Sequence, residues 1–593
     1  MSDGIWSTGI GIRHLLRDVA ERAPDALAIV HRASARSDAC RSLTFAELVQ
    51  TIDRLAAGMA HYGIRSNDTV AIIGASLPEY LAAFYAASDI ATAFPVNSLL
   101  SGEALARQFQ LAGVTMCIIV GEPGANGLGA RVAEAIASAP RVRAVVSTVE
   151  APIQIPEADI QHLSWSDLQS CGEVPERARD PEAIGAFFHT GGTSGSPKLA
   201  RLSRRALVAG PTFAGQVLEW KATDRALNLL PYFHVGGALA LATSALLSGA
   251  ANLTCGLLGA RDPELVANLW TVIREMKVTV AGLVPTSWSA VAEHPLPKMK
   301  EPFRAMVTGA STMPEVIRTR LVDGTGISFC EVYGMTEFAG FCSGQPLDGR
   351  LDRAGVGFLP PKLEIALVEP LGEVALRGPS AFSGYLVDAG ISENPGGRHV
   401  KTGDLGMWDE GGQLLLRGRI KDVIVRSGHN IDPLSIEDIA TRYPHIRQAA
   451  AVGRPDAYAG EVPVLYVVIE DGFDRPHFDE YLRANILEPP ARPRHVEILP
   501  ALPTTNVGKL NRSRLRQLAA ISAAQEALAD CPPISIECGD PAAREVLLVW
   551  PDPIGSELLQ RCTAALGGIG MTWRVEPRAA HDEIVKGEVK LNA

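Results

Sequence analysis

The chain has 593 residues, 47% of them hydrophobic and 20% charged, with a net charge of −11 at pH 7. The length exceeds what one core supports, so several domains are expected, and the composition suits a soluble globular protein. An acidic balance with no long basic run argues against nucleic acid as the main partner, and no apolar span reaches the ~18 residues an integral membrane segment needs.

In chain order, residues 10–150 alternate helical and strand patterns. Thr44 followed three residues later by Glu47 predicts a capping box, with apolar positions recurring at helical spacing through Leu55 and Met59. Val70–Ile73 and Met116–Val120 are short apolar runs bounded by turn residues, as buried parallel strands are. Residues 121–130 and 150–182 read as surface connections, and Ile184–Phe188 and Leu199–Leu202 as strands. The apolar stretch Gly236–Ala251 is predicted to be a buried helix. Residues 346–418 turn to Gly, Pro and short β-rich runs such as Leu363–Val368 and Gly372–Leu376. The last segment reads as strand (Ile534–Cys538), strand (Val546–Val549), helix (Gly555–Leu566) and strand (Met571–Val575). The expected fold class is therefore α/β. Residues 1–419 would form a large N-terminal domain, with α/β subdomains over 10–180 and 181–345 and a β-rich subdomain over 346–419. A mobile, smaller α+β C-terminal domain would cover 420–528, and an appended α+β module 529–593, which reads more readily as a packing extension than as a ligand site. No internal repeat is evident. The nine cysteines (40, 117, 171, 255, 330, 342, 531, 538, 562) lack CxxC spacing and read as reduced, mostly buried thiols of a cytoplasmic protein.

The most informative run is Thr190-Gly191-Gly192-Thr193-Ser194-Gly195-Ser196-Pro197-Lys198. Glycines admit close backbone approach, hydroxyls and N–H groups donate to phosphate oxygens, and the lysine supplies charge, so the loop suits a triphosphate. It is not a Walker A loop, which ends in Gly-Lys-Ser/Thr ahead of a helix; this loop has strand-like flanks on both sides.

That loop resembles the AMP-binding signature of the adenylate-forming superfamily of acyl-CoA synthetases, luciferases and peptide-synthetase adenylation domains. Further segments resemble the family in the right order, from Pro231-Tyr232-Phe233-His234-Val235-Gly236-Gly237 and Val307-Thr308-Gly309-Ala310-Ser311 to Tyr333-Gly334-Met335-Thr336-Glu337 and Thr402-Gly403-Asp404. Gly418-Arg419-Ile420-Lys421-Asp422 resembles the hinge, and Pro503-Thr504-Thr505-Asn506-Val507-Gly508-Lys509 the C-terminal lysine segment. The resemblance spans roughly residues 10–520. It implies ATP, Mg²⁺ and CoA as cofactors and an acyl-adenylate intermediate. It assigns Lys509 to the carboxylate and α-phosphate, with His234 and Arg419 completing the catalytic set. ATP or AMP would be held by Thr190, Gly191, Gly192, Thr193, Ser194, Gly195, Lys198, Gly309, Ala310, Ser311, Glu331, Val332, Tyr333, Gly334, Thr336, Asp404 and Arg419. Tyr333 offers an aromatic face to adenine, and Asp404 can accept from both ribose hydroxyls. Glu337, with Thr193, would hold magnesium. His234, Val235, Gly236, Gly309 and Gly334 would line the acyl site, where His234 is a wall or gate; no cluster of ligating or basic partners makes it a metal ligand or general base. The C-terminal domain would rotate about Lys421, bringing Ser427, Gly428 and His429 to the CoA path.

Amino-acid-activating relatives usually place an aspartate after the phenylalanine of the His234 segment; here Phe233 is followed by His234, which favours a carboxylic acid without an α-amino group. The wording around Ser427–Pro433 looks most like bacterial fatty-acyl and aryl-CoA synthetases. The family often has Gln-Gly before the tyrosine; this chain has Glu331-Val332, which fills volume beneath the adenylate. The leading expectation is an AMP-forming acid–CoA ligase for a medium- or long-chain fatty acid or another hydrophobic acid. Two alternatives stay open: an enzyme loading an acyl carrier protein, and a catalytically silent nucleotide-binding regulator. Motifs alone also leave luciferase chemistry open, and the oligomeric state is not set by these residues.

Overall fold

The computed structural model describes residues 4–122, 124, 127–149, 160–170, 180–190, 198–311, 313–351, 355–388, 390–393, 398–505, 509–529, 535–538, 545–550, 556–569 and 571–577. Thr44 opens the helix Phe45–His61 with the predicted reciprocal cap: its N–H donates to Glu47 Oε2 at 2.8 Å and Glu47 N–H donates to Thr44 Oγ1 at 3.2 Å. The apolar stripe of this helix, Leu48, Ile52, Leu55 and Met59, is completely buried.

Two large sheets organise the N-terminal part. The first runs, in spatial order, Gly390–Glu393, Gly384–Val387, Leu199–Ser203, Ile184–His189, Thr92–Val96, Thr69–Gly74, Val114–Val120, Ala144–Ser147 and Gln161–Ser164. The second runs Ser343–Gly344, Ser328–Tyr333, Ala305–Gly309, Val280–Gly282, Arg225–Asn228, Ala251–Cys255, Leu27–Arg32 and Cys40–Thr44. Strand periodicity sends alternate residues to opposite faces. Val70 and Ile72 join one hydrophobic cluster while Ala71 and Ile73 join another. In the second sheet Val307 and Cys330 face the same cluster as Val70, whereas Met306 and Phe329 face a third. The shared cluster is built from the helices Ile12–Arg22, Phe45–His61, Pro78–Ile90 and Arg204–Leu218, so a layer of helices lies between the two sheets and further helices cover their outer faces.

The sheets are not divided at residue 180. Leu27–Arg32 and Cys40–Thr44 pair into the second sheet, while Ile184–His189 and Leu199–Ser203 pair into the first. Strand exchange of this kind is a long-range pairing choice that local patterns do not encode. The predicted helix over Gly236–Ala251 is also revised. It is a π-helix over Gly236–Thr243, one α-turn over Ser244–Leu247, and then a strand from Ala251. Thr243 Oγ1 donates to Ala238 O at 2.6 Å, closing the wide turn across five residues.

Residues 346–419 supply a four-stranded sheet in the order Glu364–Val368, Glu373–Arg377, Val400–Trp408, Leu414–Arg419. By internal contacts the chain separates into two compact units. One is Met1–Pro370, Val374–Thr402 and Met407–Leu416; the other is Leu371–Glu373, Gly403–Gly406 and Arg417–Ala593. The second unit has its own five-stranded sheet and hydrophobic core around Ile424, Ile436, Leu465 and Phe478. The C-terminal segment forms a three-stranded sheet, Ser535–Cys538, Glu545–Trp550 and Thr572–Pro577, with the helix Ser556–Gly568. It shares a core with the helix Arg512–Ala527: Ala520, Ala523 and Ala524 meet Val546, Leu548, Cys562 and Leu566. Among the described residues Cys117, Cys255, Cys330, Cys342 and Cys562 are buried and Cys40 is exposed. No helix among the described residues is long and apolar enough to cross a membrane.

Candidate active site

Four adjacent parallel strands, Arg225–Asn228, Val280–Gly282, Ala305–Gly309 and Ser328–Tyr333, end at one edge of the second sheet. Three of the segments singled out in the sequence leave from that edge: Pro231–Gly237, Gly309–Ser311 and Tyr333–Glu337. Ligands of open α/β sheets collect at the carboxyl ends of parallel strands. Steric contact draws the segments together. A Cβ on Gly334 would lie 2.0 Å from Gly340 O, and one on Gly340 would lie 2.8 Å from Val235 O, so backbone meets backbone from Tyr333 to the His234 segment. A fourth segment, Leu283–Thr286, leaves the same edge after Val280–Gly282 and carried no recognisable motif.

A buried amide network holds the His234 segment. Asn228 Nδ2 donates to Gly237 O at 2.9 Å and to Asn252 Oδ1 at 3.2 Å, and Asn252 Nδ2 donates to Tyr232 Oη at 2.7 Å. His234 is half-buried, and its Nδ1 accepts from Gly236 N–H at 3.1 Å. This acceptor role leaves Nε2 to carry the proton of the neutral ring.

The phosphate-type loop lies between antiparallel strands Ile184–His189 and Leu199–Ser203, as its flanks predict. Its mouth is closed by Thr190 N–H donating to Lys198 O at 3.2 Å. Gly191, Gly192, Thr193, Ser194 and Gly195 lie outside the described residues. His189, at the mouth, stacks obliquely on Phe233 with centroids 5.7 Å apart, which sets the loop beside the His234 segment.

Thr336 and Glu337 are buried in a short 3₁₀ turn, Thr336–Phe338, and neither side chain caps it. Glu337 Oε1 accepts from the Tyr385 hydroxyl, and Glu337 O accepts from Phe382 N–H at 2.8 Å. Tyr385 pairs with Ala200 in the strand that follows Lys198, so one contact ties the carboxylate to the loop hairpin. Burial, and then the Glu337 charge, raise the Tyr385 pKa and keep its hydroxyl a donor. No sequence signal marked Tyr385, whose position depends on a strand pairing between residues nearly two hundred apart.

Glu331 and Val332 face opposite sides of their strand. Val332 Cγ2 would lie 2.7 Å from a Cβ on Gly309, so the valine occupies the space above that glycine. The Glu331 carboxyl is buried toward Arg318 and Met313; burial raises its pKa to about 7 against the opposing pull of the Arg318 guanidinium. Its backbone exchanges hydrogen bonds with Gln345. Tyr333 is 7% exposed and packs with Phe338, Cys342 and Val356. Ala310 takes a positive φ of 75°, an unusual conformation for alanine that marks the exposed Ala310-Ser311 bend.

In the second unit Asp404 and Arg419 are brought together: Arg419 Nε lies 2.8 Å from Asp404 Oδ1, with the carboxylate buried and the guanidinium half exposed. Lys421 stands in the 3₁₀ turn Ile420–Asp422. Ser427, Gly428 and His429 are exposed at a hairpin tip. Lys509 is half-buried; Thr505 N–H donates to its carbonyl at 2.7 Å and its N–H donates to Thr505 Oγ1 at 3.2 Å. Asn506, Val507 and Gly508 lie outside the described residues.

The AMP-binding enzyme family matches residues 16–386, and the AMP-binding enzyme C-terminal domain matches residues 435–509, ending on Lys509. Marinolic acid–CoA ligase of a Pseudoalteromonas species is 30% identical over 490 residues, covering 78% of this chain and 74% of that protein. Indoleacetate–CoA ligase of Aromatoleum aromaticum is 30% identical over 500 residues, covering 81% and 94%. Among solved structures, an anthranilate CoA ligase in complex with anthranoyl-AMP superposes with a TM-score of 0.75 at 20% identity, covering 87% of this chain and 98% of that one. ATP-bound MatB from Rhodopseudomonas palustris superposes with a TM-score of 0.72 at 22% identity, covering 86% and 99%. With both domains matched in order and the sheet-edge geometry in place, the chain belongs to the AMP-binding enzyme family of adenylate-forming proteins.

Proposed function

We propose that the protein is an AMP-forming acid–CoA ligase: a carboxylic acid and MgATP give acyl-adenylate and pyrophosphate, and CoA then displaces AMP to give the thioester. A carboxylate is a poor electrophile, and adenylation converts its oxygen into part of a good leaving group. The enzyme must bring two anions together and steady charge on the α-phosphorus, work done by positioning and preorganised electrostatics. The observation carrying this reading is the convergence of the loop mouth, the His234 segment and Glu337 at one sheet edge. The Thr190–Lys198 loop would hold the polyphosphate. Among the described residues no three ligating side chains cluster, and the buried carboxylate of Glu337, tied to the loop hairpin through Tyr385, suits a cation that arrives on nucleotide phosphates. Bound there, magnesium would supply charge neutralisation on the leaving pyrophosphate. Asp404, held by Arg419, would accept from ribose hydroxyls, and Lys509 would place its ammonium between carboxylate and α-phosphate.

The substrate is a hydrophobic carboxylic acid without an α-amino group. Support comes from His234 in place of an ammonium-binding aspartate, and from relatives whose names specify marinolic and indoleacetic acids. ATP–pyrophosphate exchange with a panel of fatty, aryl and amino acids tests this. Exchange with fatty or aryl acids and none with amino acids is expected; no exchange with any acid would overturn the ligase reading. Offering CoA and acyl carrier protein in turn to the resulting adenylate then identifies the acceptor, for which CoA is expected. Lys509→Ala should lower exchange by about a thousandfold, the scale of a preorganised charge at the reacting centre, yet spare thioester formation from supplied acyl-adenylate. Equal loss of both half-reactions would contradict its assigned role.

A further inference from the structure

The Lys509 loop and the turn containing Lys421 are far apart in sequence yet tied together inside the second unit. Asp422 ends that turn and its side chain is largely buried. Arg516 Nη1 donates to Asp422 Oδ1 at 2.6 Å and reaches Lys421 O at 3.5 Å. Arg512 Nε lies 3.8 Å from Asp422 Oδ2. Both arginines stand on the helix Arg512–Ala527, one turn apart and so on one face. Arg512 is itself anchored: it forms a two-pronged bond with Glu437 and donates to Ala451 O at 3.0 Å.

This helix begins immediately beyond Lys509. Asn511 caps it, accepting from Arg514 N–H at 3.1 Å, and Asn511 N–H donates to Pro503 O at 2.8 Å. Thr504 bridges to Leu510, so the backbone on both sides of Lys509 is fastened to the helix start. Polar contacts therefore run from Asp422 through Arg512 and Arg516 to the helix N-terminus and on to the backbone beside Lys509.

We infer that Asp422 is a positioning residue that acts through Lys509. The carboxylate welds the exit of the hinge turn to the helix that follows the lysine. Rotation about the chain must then occur at or before Lys421, and it carries Lys509 as part of one rigid body. The assignment rests on the ligase reading for what Lys509 does, but the weld itself does not. Removing Asp422 leaves Arg512 bonded to Glu437 and leaves Arg516 able to turn to solvent, so no buried charge is stranded and the fold survives.

The test uses the full chain in three forms: wild type, Asp422→Ala and Asp422→Asn. Asp422→Ala is expected to lower the kcat of ATP–pyrophosphate exchange by about tenfold or more, because small misplacements of a catalytic group cost rates of that size. Thioester formation from supplied acyl-adenylate, which does not use Lys509, should stay within about twofold, and Asp422→Asn should fall between wild type and Asp422→Ala. Adding Lys509→Ala to Asp422→Ala should cost no more than Lys509→Ala alone, because the two act as one. Equal losses in both half-reactions, or losses that multiply in the double variant, would overturn the inference. Hydrogen exchange gives a readout free of substrate: Asp422→Ala should speed amide exchange across residues 509–516 while the strand Gly460–Ile469 stays protected. Unchanged exchange across 509–516 overturns the weld. If wild type shows no pyrophosphate exchange with any acid, the ligase reading fails while the hydrogen-exchange result still decides the weld.

Discussion

Glu331 holds a carboxyl where its charge is costly. Burial raises its pKa from 4.5 to about 7. Well below pH 4.5 the group is protonated in both folded and unfolded chains and takes nothing from stability. Between that point and pH 7 the unfolded chain releases a proton that the native chain keeps, so native stability falls as pH rises; above pH 7 the full penalty applies. Glu331→Gln should therefore leave stability nearly unchanged at pH 4 and raise it above pH 7, by an upper bound on the order of 3 kcal/mol. Denaturant midpoints at the two pH values check this, and an equal effect at both would refute it. Val332 acts by volume instead. Its Cγ2 fills the space over Gly309, and Val332→Gly should extend the acid panel toward bulkier rings, with kcat/KM for such acids rising by about tenfold or more, the scale of a few methylenes of pocket. An unchanged acid profile would remove Val332 from the acyl site.

At the scale of elements, the tip at Ser427-Gly428 is a two-residue hairpin loop. Arg426 pairs with His429, and the two loop residues take positive φ of 49° and 83°. Two left-handed residues in succession make the type I′ turn that matches strand twist. The family resemblance places Gly428 on the CoA path. A Cβ there meets nothing within 4 Å, so backbone conformation is what demands glycine in the structure itself. Gly428→Ala should cost about 1–2 kcal/mol through the left-handed penalty. Ser427→Asn should gain up to about 1 kcal/mol, since asparagine followed by glycine is the preferred pair for this turn. Thermal unfolding of the second unit measures both. Gly334 shows the other reason for glycine, with Gly340 O occupying the place of its Cβ.

For the whole molecule, the last crossing of the chain from the first unit to the second falls between Leu416 and Arg417, four residues before Lys421. A hinge must absorb φ/ψ change, and with Asp422 held by Arg512 and Arg516 that change would fall on Lys421 and the residues before it, ahead of the fixed end of the 3₁₀ turn Ile420–Asp422. Lys421→Pro should retain adenylation within about threefold while depressing thioester formation tenfold or more, because locking φ stiffens the pivot without touching Lys509. Half-reaction kinetics separate the two steps, and unchanged overall turnover would count against a hinge at this position.

Much of this was legible in the residues themselves. The Thr44–Glu47 cap, the buried strands around Val70 and Met116, the strand-flanked loop at Thr190 and the strand–helix pattern after residue 534 are local signals, set by propensity, period and turn chemistry over a few residues. The family motifs were legible because their chemistry needs particular residue types in short runs. Other features were decided only by tertiary structure. Strands on both sides of residue 180 cross between the sheets, Gly236–Thr243 winds as a π-helix, Tyr385 reaches Glu337, and Asp422 meets two arginines about ninety residues away. Each depends on which distant surfaces bury together and which polar groups then find partners, and such pairings leave no periodic trace in the chain.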